Sequence, residues 1–250
     1  MTEIRDAATV VLLRDSVDGL QAWMLTRVKQ MVFAAGMSVF PGGRVDGADA
    51  ELPFAPGAAA AVAGRFGCDE RQARALLGAA VRETFEETGV LLSVPAADLS
   101  GARTDVEAGR VSFGDLLRAN GLQVDAESLR PWARWITPPG ETRRYDTHFF
   151  VAGLPEGADA QDVTTESSEA SWIRPAEALE QAQRGERGLL PPTIATLAAL
   201  QPFGAVAEVL AAADSRELEA ISPDIRVDGD RIIAELPGGE TIELPRALFS

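Results

Sequence analysis

Three rhythms of apolar and polar positions divide this chain. Ala7-Ala8-Thr9-Val10-Val11-Leu12-Leu13 is a continuous apolar and β-branched run and reads as a buried strand. Asp18-Gly19 marks a turn, and residues 21–28 alternate enough to pair back as a hairpin. Residues 143–152 read as a further strand, with alternate side chains facing the core and a cleft. Between these strands the period lengthens. Residues 58–66 predict a short helix that Gly67 ends, and Asp69 follows as an N-cap with Gln72 at the capping-box position. Leu76, Leu77, Ala80 and Val81 then recur at helical spacing, so one helix is expected from near Glu70 to Gly89, a natural stop because glycine tolerates positive φ. Later helices are expected after Ser112, closing at Asn120-Gly121, after Pro175, after Pro191, and over residues 203–213. The aromatic run at Trp132 and Trp135 is followed by a strand that Pro138-Pro139 stops. Past residue 225, Asp228-Gly229 and Pro237-Gly238-Gly239 give the turns of a small β appendage. These elements divide into a main domain at 1–212 and a C-terminal extension at 213–250.

Composition removes several classes of partner. A chain of 250 residues, 46% hydrophobic, can bury one generous core. Its 23 basic and 38 acidic side chains leave a net charge of −15, which argues against nucleic acid or an anionic membrane surface. Polyphosphates can still bind if cations bridge them. Cys68 is the sole cysteine, so no intrachain disulfide forms, which fits a reducing cytoplasm. No apolar run approaches the roughly 20 residues of a membrane span, and the first six residues lack the basic start and apolar core of a secretion signal. A soluble cytoplasmic protein is the expectation.

The candidate chemistry sits in the long helix. Glu83, Glu86 and Glu87 stand at i, i+3 and i+4, so three carboxylates share one ridge and repel one another. A divalent cation relieves that repulsion, and oxygen-only ligands suit Mg²⁺ or Mn²⁺ rather than zinc. Arg82 lies beside Glu83 and four residues before Glu86, placed to hold a carboxylate. Val81, Phe85 and Leu91 supply the apolar side. Gly42 and Gly43, after Phe40-Pro41, shape either a phosphate-bearing loop or an ordinary turn.

Arg82-Glu83-Thr84-Phe85-Glu86-Glu87-Thr88-Gly89-Val90 resembles the second half of the Nudix box, G-x5-E-x7-R-E-U-x-E-E-x-G-U. Phe40-Pro41-Gly42-Gly43 followed by Asp49 resembles the first half, with Asp49 where the family has Glu and Thr84 in an apolar slot. Residues 50–81 separate the halves, an insertion similar to that of the coenzyme A diphosphatase branch. That branch's upstream pattern is met at Arg27, Gly36 and Phe40-Pro41-Gly42-Gly43, while Val28 and Val32 replace a small residue and a second arginine. The resemblance implies an α/β (α+β) fold, an α/β/α sandwich around a mixed sheet. It implies hydrolysis of a nucleoside diphosphate derivative, coenzyme A or an acyl-coenzyme A first. ADP-ribose, NADH and a non-catalytic nucleotide sensor are the alternatives. Glu83, Glu86 and Glu87 become metal ligands, with Glu83, Arg82 and Glu166 catalytic and Arg27, Gly42, Gly43 and Arg144 binding substrate. Glu166 and Glu169 compete for a general-base role before Trp172. A homodimer is also implied. Trp132, Trp135 and Tyr145 are candidates for stacking adenine or for packing, and His148, mid-strand, reads as structural.

Overall fold

The computed structural model describes residues 3–27, 36–161 and 167–245; Val28, Val32 and Glu166 lie outside them. The strands are β1 (Ile4–Ser16), β2 (Gly19–Arg27), β3 (Met37–Val39), β4 (Gly42–Arg44), β5 (Ser93–Val94), β6 (Gln123–Val124), β7 (Arg130–Ile136), β8 (Arg144–Gly153), β9 (Ser167–Ile173), β10 (Gly188–Leu189), β11 (Ala220–Ile221), β12 (Asp224–Asp228), β13 (Arg231–Glu235) and β14 (Thr241–Pro245). The helices are α1 (Ala60–Phe66), α2 (Glu70–Thr88), α3 (Arg103–Glu107), α4 (Phe113–Ala119), α5 (Pro175–Gln183), α6 (Pro191–Leu200) and α7 (Val206–Ser215), with a 3-10 turn at Gly47–Glu51.

A mixed sheet runs β10-β3-β2-β1-β8-β7-β11, with β4 also paired to β1 and β9 to β2. The β1–β2 hairpin is antiparallel and β1–β8 is parallel, so β1 is paired along both edges. Val10 and Leu12 enter the core that holds Leu76, Leu77 and Phe85 of α2, whereas Val11 and Leu13 enter the core that holds Ala178, Leu197 and Val209 of α5, α6 and α7. Two helical layers thus sandwich the sheet, as expected.

The expected C-terminal ends of α1 and α2 and the Asp69 cap hold, while α1 begins at Ala60 rather than at residue 58 and α7 runs Val206–Ser215 rather than 203–213. Gly67 and Gly89 take left-handed C-cap conformations, and the Asp69 side chain accepts from Gln72 N–H at 2.7 Å. Gln72 does not close a capping box: its Nε2 donates to Asp6 Oδ2 at 2.9 Å and ties the start of α2 to β1. The insertion serves mostly packing, since Leu76, Leu77, Ala79, Ala80 and Val81 are fully buried. Its α1 also reaches the far end of the chain. Arg65 donates from Nη1 to Asp214 O (3.0 Å) and from Nη2 to Ala213 O (2.9 Å) and Arg216 O (2.6 Å), satisfying the open carbonyl end of α7. Arg65→Ala should lower unfolding free energy by about 1–3 kcal/mol in urea titrations, the scale of hydrogen bonds to a charged group; no loss would show the clamp to be incidental.

Two expectations shift. The aromatic run lies inside β7 rather than before a strand, and Trp132 and Trp135 are buried, 1% and 4% exposed, in the core under α7. Neither ring is open to a base, and the packing alternative holds for both. The expected boundary at residue 212 falls within α7, and β11 still pairs with β7 of the main sheet. The separate sheet, β12-β13-β14, begins only at Asp224.

Candidate active site

The site is built on the last two turns of α2, and the approach of a neighbouring turn explains its shape. Gly78 packs against the backbone carbonyl of Asp49, so a side chain there would collide with it. The 3-10 turn lies directly on the helix for this reason. Asp46 caps that turn through Ala48 N–H (3.0 Å), and Asp49 Oδ2 accepts from Asp46 N–H at 2.7 Å. Asp49, only 2% exposed, is aimed at Arg82, which donates to it from Nε at 2.8 Å and Nη2 at 3.1 Å. The close seating of the turn lets an aspartate do what a longer glutamate would otherwise reach to do.

Arg82 is the hub of the ridge. Besides Asp49, it donates from Nη1 to Glu83 Oε1 (2.7 Å) and Glu86 Oε2 (3.2 Å), and from Nη2 to Arg44 O (3.1 Å). Burial works against its charge, but the hydrogen bonds to Asp49 and the charges of Glu83 and Asp49 outweigh that and hold its pKa above the usual value. Glu86 is not fully compensated. Burial pushes its carboxyl up to about 7, against the pull of Arg82 and with the help of Glu83.

Gly42 and Gly43 form β4, paired with Thr9 and Ala8 of β1, and press on the same ridge. Gly42 N–H donates to Glu87 Oε2 at 2.9 Å, and Glu87 is 8% exposed. A Cβ on Gly43 would lie 2.7 Å from Glu83 Oε2, so a larger residue there would displace that carboxylate from its present position. Thr84 fits its apolar slot because its hydroxyl donates to Ala80 O at 2.7 Å, and Thr88 does the same to Thr84 O at 2.6 Å. Sequence reasoning did not single out Arg103. It is buried and donates from Nη1 to Glu86 O (2.7 Å) and Glu107 Oε2 (2.8 Å), bracing the carboxylate turn from α3. No local pattern announces a contact seventeen residues downstream.

The donor set is right in kind for a hard cation: three carboxylates share one ridge, with Gly43 leaving space beside Glu83. Among the described residues no three acid, histidine or cysteine side chains are gathered into an ion cage. Glu83 and Glu86 are turned onto Arg82 and Glu87 onto Gly42 N–H, so these donors now hold the charge that a cation would share.

A cavity of about 440 Å³ opens beside Glu83 and Glu86. Arg44, Asp46, Ala48, Asp49 and Leu52 line one part, and Val106, Gly109 and residues 111–114 line another. The remaining expected contacts lie elsewhere. Arg144 starts β8, where its Nε donates to Thr137 O at 3.0 Å. Arg27 ends β2, its carbonyl accepting from Gly36 N–H at 3.0 Å. Glu169 sits in strand β9, opposite Thr26, rather than in a loop.

His148 is 1% exposed and stands edge-on to Phe66, centroids 4.6 Å apart. Burial lowers its pKa, Asp146 and Asp6 oppose that shift, and Arg134 adds to it. Below the ordinary value of 6.5 the unfolded chain takes up a proton that the folded chain refuses, so this residue's contribution to stability is lost as pH falls. His148→Gln should flatten the decline in melting temperature between about pH 7 and pH 5; an unchanged slope would assign the decline to other groups.

A protein-family model described as the NUDT19 Nudix domain matches residues 69–200, 132 of the 250 positions. The chain belongs to the Nudix hydrolase family. Within it, the chain is 29% identical over 269 aligned residues to the acyl-coenzyme A diphosphatase NUDT19 of Gallus gallus, covering 86% of this chain and 71% of that protein. It is 31% identical over 183 residues to the Homo sapiens protein of the same name, covering 64% and 49% respectively. The chain spans from about half to about seven tenths of the length of the curated relatives it matches. Among solved structures, the NUDIX hydrolase from Alicyclobacillus acidocaldarius superposes with a TM-score of 0.71 at 29% identity, covering 84% of this chain and 97% of that one.

Proposed function

We propose that this protein hydrolyses the diphosphate linkage of a nucleoside diphosphate derivative, coenzyme A or an acyl-coenzyme A in particular, with Mg²⁺ or Mn²⁺ held by Glu83, Glu86 and Glu87. The observation that carries the reading is Arg82, which marshals Glu83 and Glu86 at the mouth of a cavity while Asp49 holds it in place. The name of the NUDT19 relatives supports the choice of substrate. A bound divalent cation would offset the charge growing on the phosphate oxygens and ease deprotonation of the attacking water. The residues of the chain do the rest. Arg82 and Gly42 N–H hold the carboxylates at fixed positions, and Asp49 keeps the guanidinium from turning toward substrate phosphate. Glu166 is proposed to take the proton of the water, and Arg27 to meet a phosphate.

Among the described residues no helix is long and apolar enough to cross a membrane; the single cysteine fits a reducing, cytoplasmic site of action. The test is a panel of coenzyme A, acyl-coenzyme A, ADP-ribose, NADH and nucleoside triphosphates with each metal, products identified by mass. Cleavage of the coenzyme A compounds at the diphosphate is the expected result. Turnover confined to ADP-ribose or NADH would replace the substrate, and binding without turnover would remove the enzyme.

A further inference from the structure

We propose that the cavity beside Glu83 and Glu86 receives the uncharged arm that the substrate carries beyond its diphosphate, and that Val111 and Ala48 limit the bulk of that arm. The inference rests on the diphosphatase reading above.

The cavity has two unlike sets of lining residues. Asp49, Arg82, Glu83 and Glu86 make one of them ionic. The other set carries no charge: Leu52, Val106 and Phe113, each no more than 5% exposed, together with Gly109, Val111, Ser112 and Gly114. A phosphate moved against that uncharged lining would give up its water, and the guanidinium nearest to it, Arg118 beside Gly114, is already engaged by Asp115 Oδ1 (3.0 Å) and the Glu51 carbonyl (2.9 Å). A chain of methylenes and amides would instead cover apolar surface and keep its own polar groups toward the rim. Arg44 and Asp46 carry opposite charges there and favour neither sign.

A base is also a poor occupant. Phe113 packs on Phe85 inside the core, ring centroids 5.6 Å apart, so it walls the cavity rather than offering a face for stacking. The volume of about 440 Å³ lies within the roughly 300–1,000 Å³ of small-molecule sites and suits a narrow flexible group. Diphosphate on the ridge and nucleoside outside the cavity leave the neutral arm as the group that fits: an acylated, amide-linked chain such as pantetheine carries.

Two variants narrow the cavity. Ala48 is exposed, whereas Val111 is half-buried and also packs on the core, so Ala48→Leu enlarges a surface side chain and Val111→Trp one that is partly open. Melting curves identify any variant that fails to fold. Hexanoyl-pantetheine, which has the arm and no phosphate, is titrated calorimetrically into wild type and both variants, and hexanoyl-coenzyme A hydrolysis is measured with Mn²⁺. Wild type should bind the arm alone, and each folded variant should bind it at least about tenfold more weakly. The variants should also raise KM for hexanoyl-coenzyme A by about tenfold, with kcat within about twofold. Unchanged binding and KM in a folded variant would overturn the inference. Arm binding without hydrolysis by wild type would overturn the diphosphatase reading and leave the cavity assignment standing.

Discussion

Arg82→Ala should lose about 3–5 kcal/mol of unfolding free energy, the penalty for removing one member of a buried ion pair. Asp49 drives the loss: at 2% exposure it would keep one backbone N–H donor and no counter-charge. Glu83 and Glu86 would lose the same cation, yet they are more exposed and can hydrate. Arg82→Lys should recover only part of the stability, because an ammonium cannot reproduce the paired Nε and Nη2 contacts to Asp49. Denaturant titrations of both variants and of Arg82→Ala with Asp49→Ala decide the matter. In the double variant the orphaned charge is gone, so much of the loss should return; strictly additive losses would refute the coupling.

Glu86→Gln should separate activity from stability. Diphosphate hydrolysis should fall at least about 100-fold, the upper end of what losing even a residue that merely supports a metal ligand costs. Melting temperature should hold or rise. Burial and the neighbouring Glu83 push the Glu86 carboxyl up to about 7, so its charge opposes folding at neutral pH and the neutral amide does not. Retained hydrolysis within a few-fold would remove Glu86 from the machinery, and a large drop in melting temperature would make it a structural residue instead.

How much of this was legible in the sequence depends on the reach of each interaction. The β1–β2 hairpin, the unbroken α2 and its caps at Asp69 and Gly89 are local, and local patterns specified them. The ridge of Glu83, Glu86 and Glu87 followed from helical spacing alone. Asp49 was located by counting from Gly43, but its pairing with Arg82 depends on the contact at Gly78 that no periodicity expresses. Gly42 and Gly43 were expected to serve a phosphate; their observed contacts are with Glu87 and Glu83, across more than forty positions of chain for Gly42. Trp132 and Trp135 looked available because aromatic residues read alike in a core or a cleft, and α7, which covers them, is far downstream. Arg103 was missed for the same reason: what it grips is a main-chain carbonyl, and carbonyls leave no mark on a sequence.

The clamp at Arg65 sets an order of events during synthesis. The insertion helix leaves the ribosome 149 residues ahead of the Asp214 carbonyl that Arg65 will hold. Until α7 emerges, that guanidinium must stay hydrated beside a half-built domain, and β8, the parallel neighbour of β1, is not yet available when α2 appears. A nascent chain stalled before residue 213 would therefore carry every carboxylate of the proposed metal site, while α1 still lacked its anchor at the end of α7.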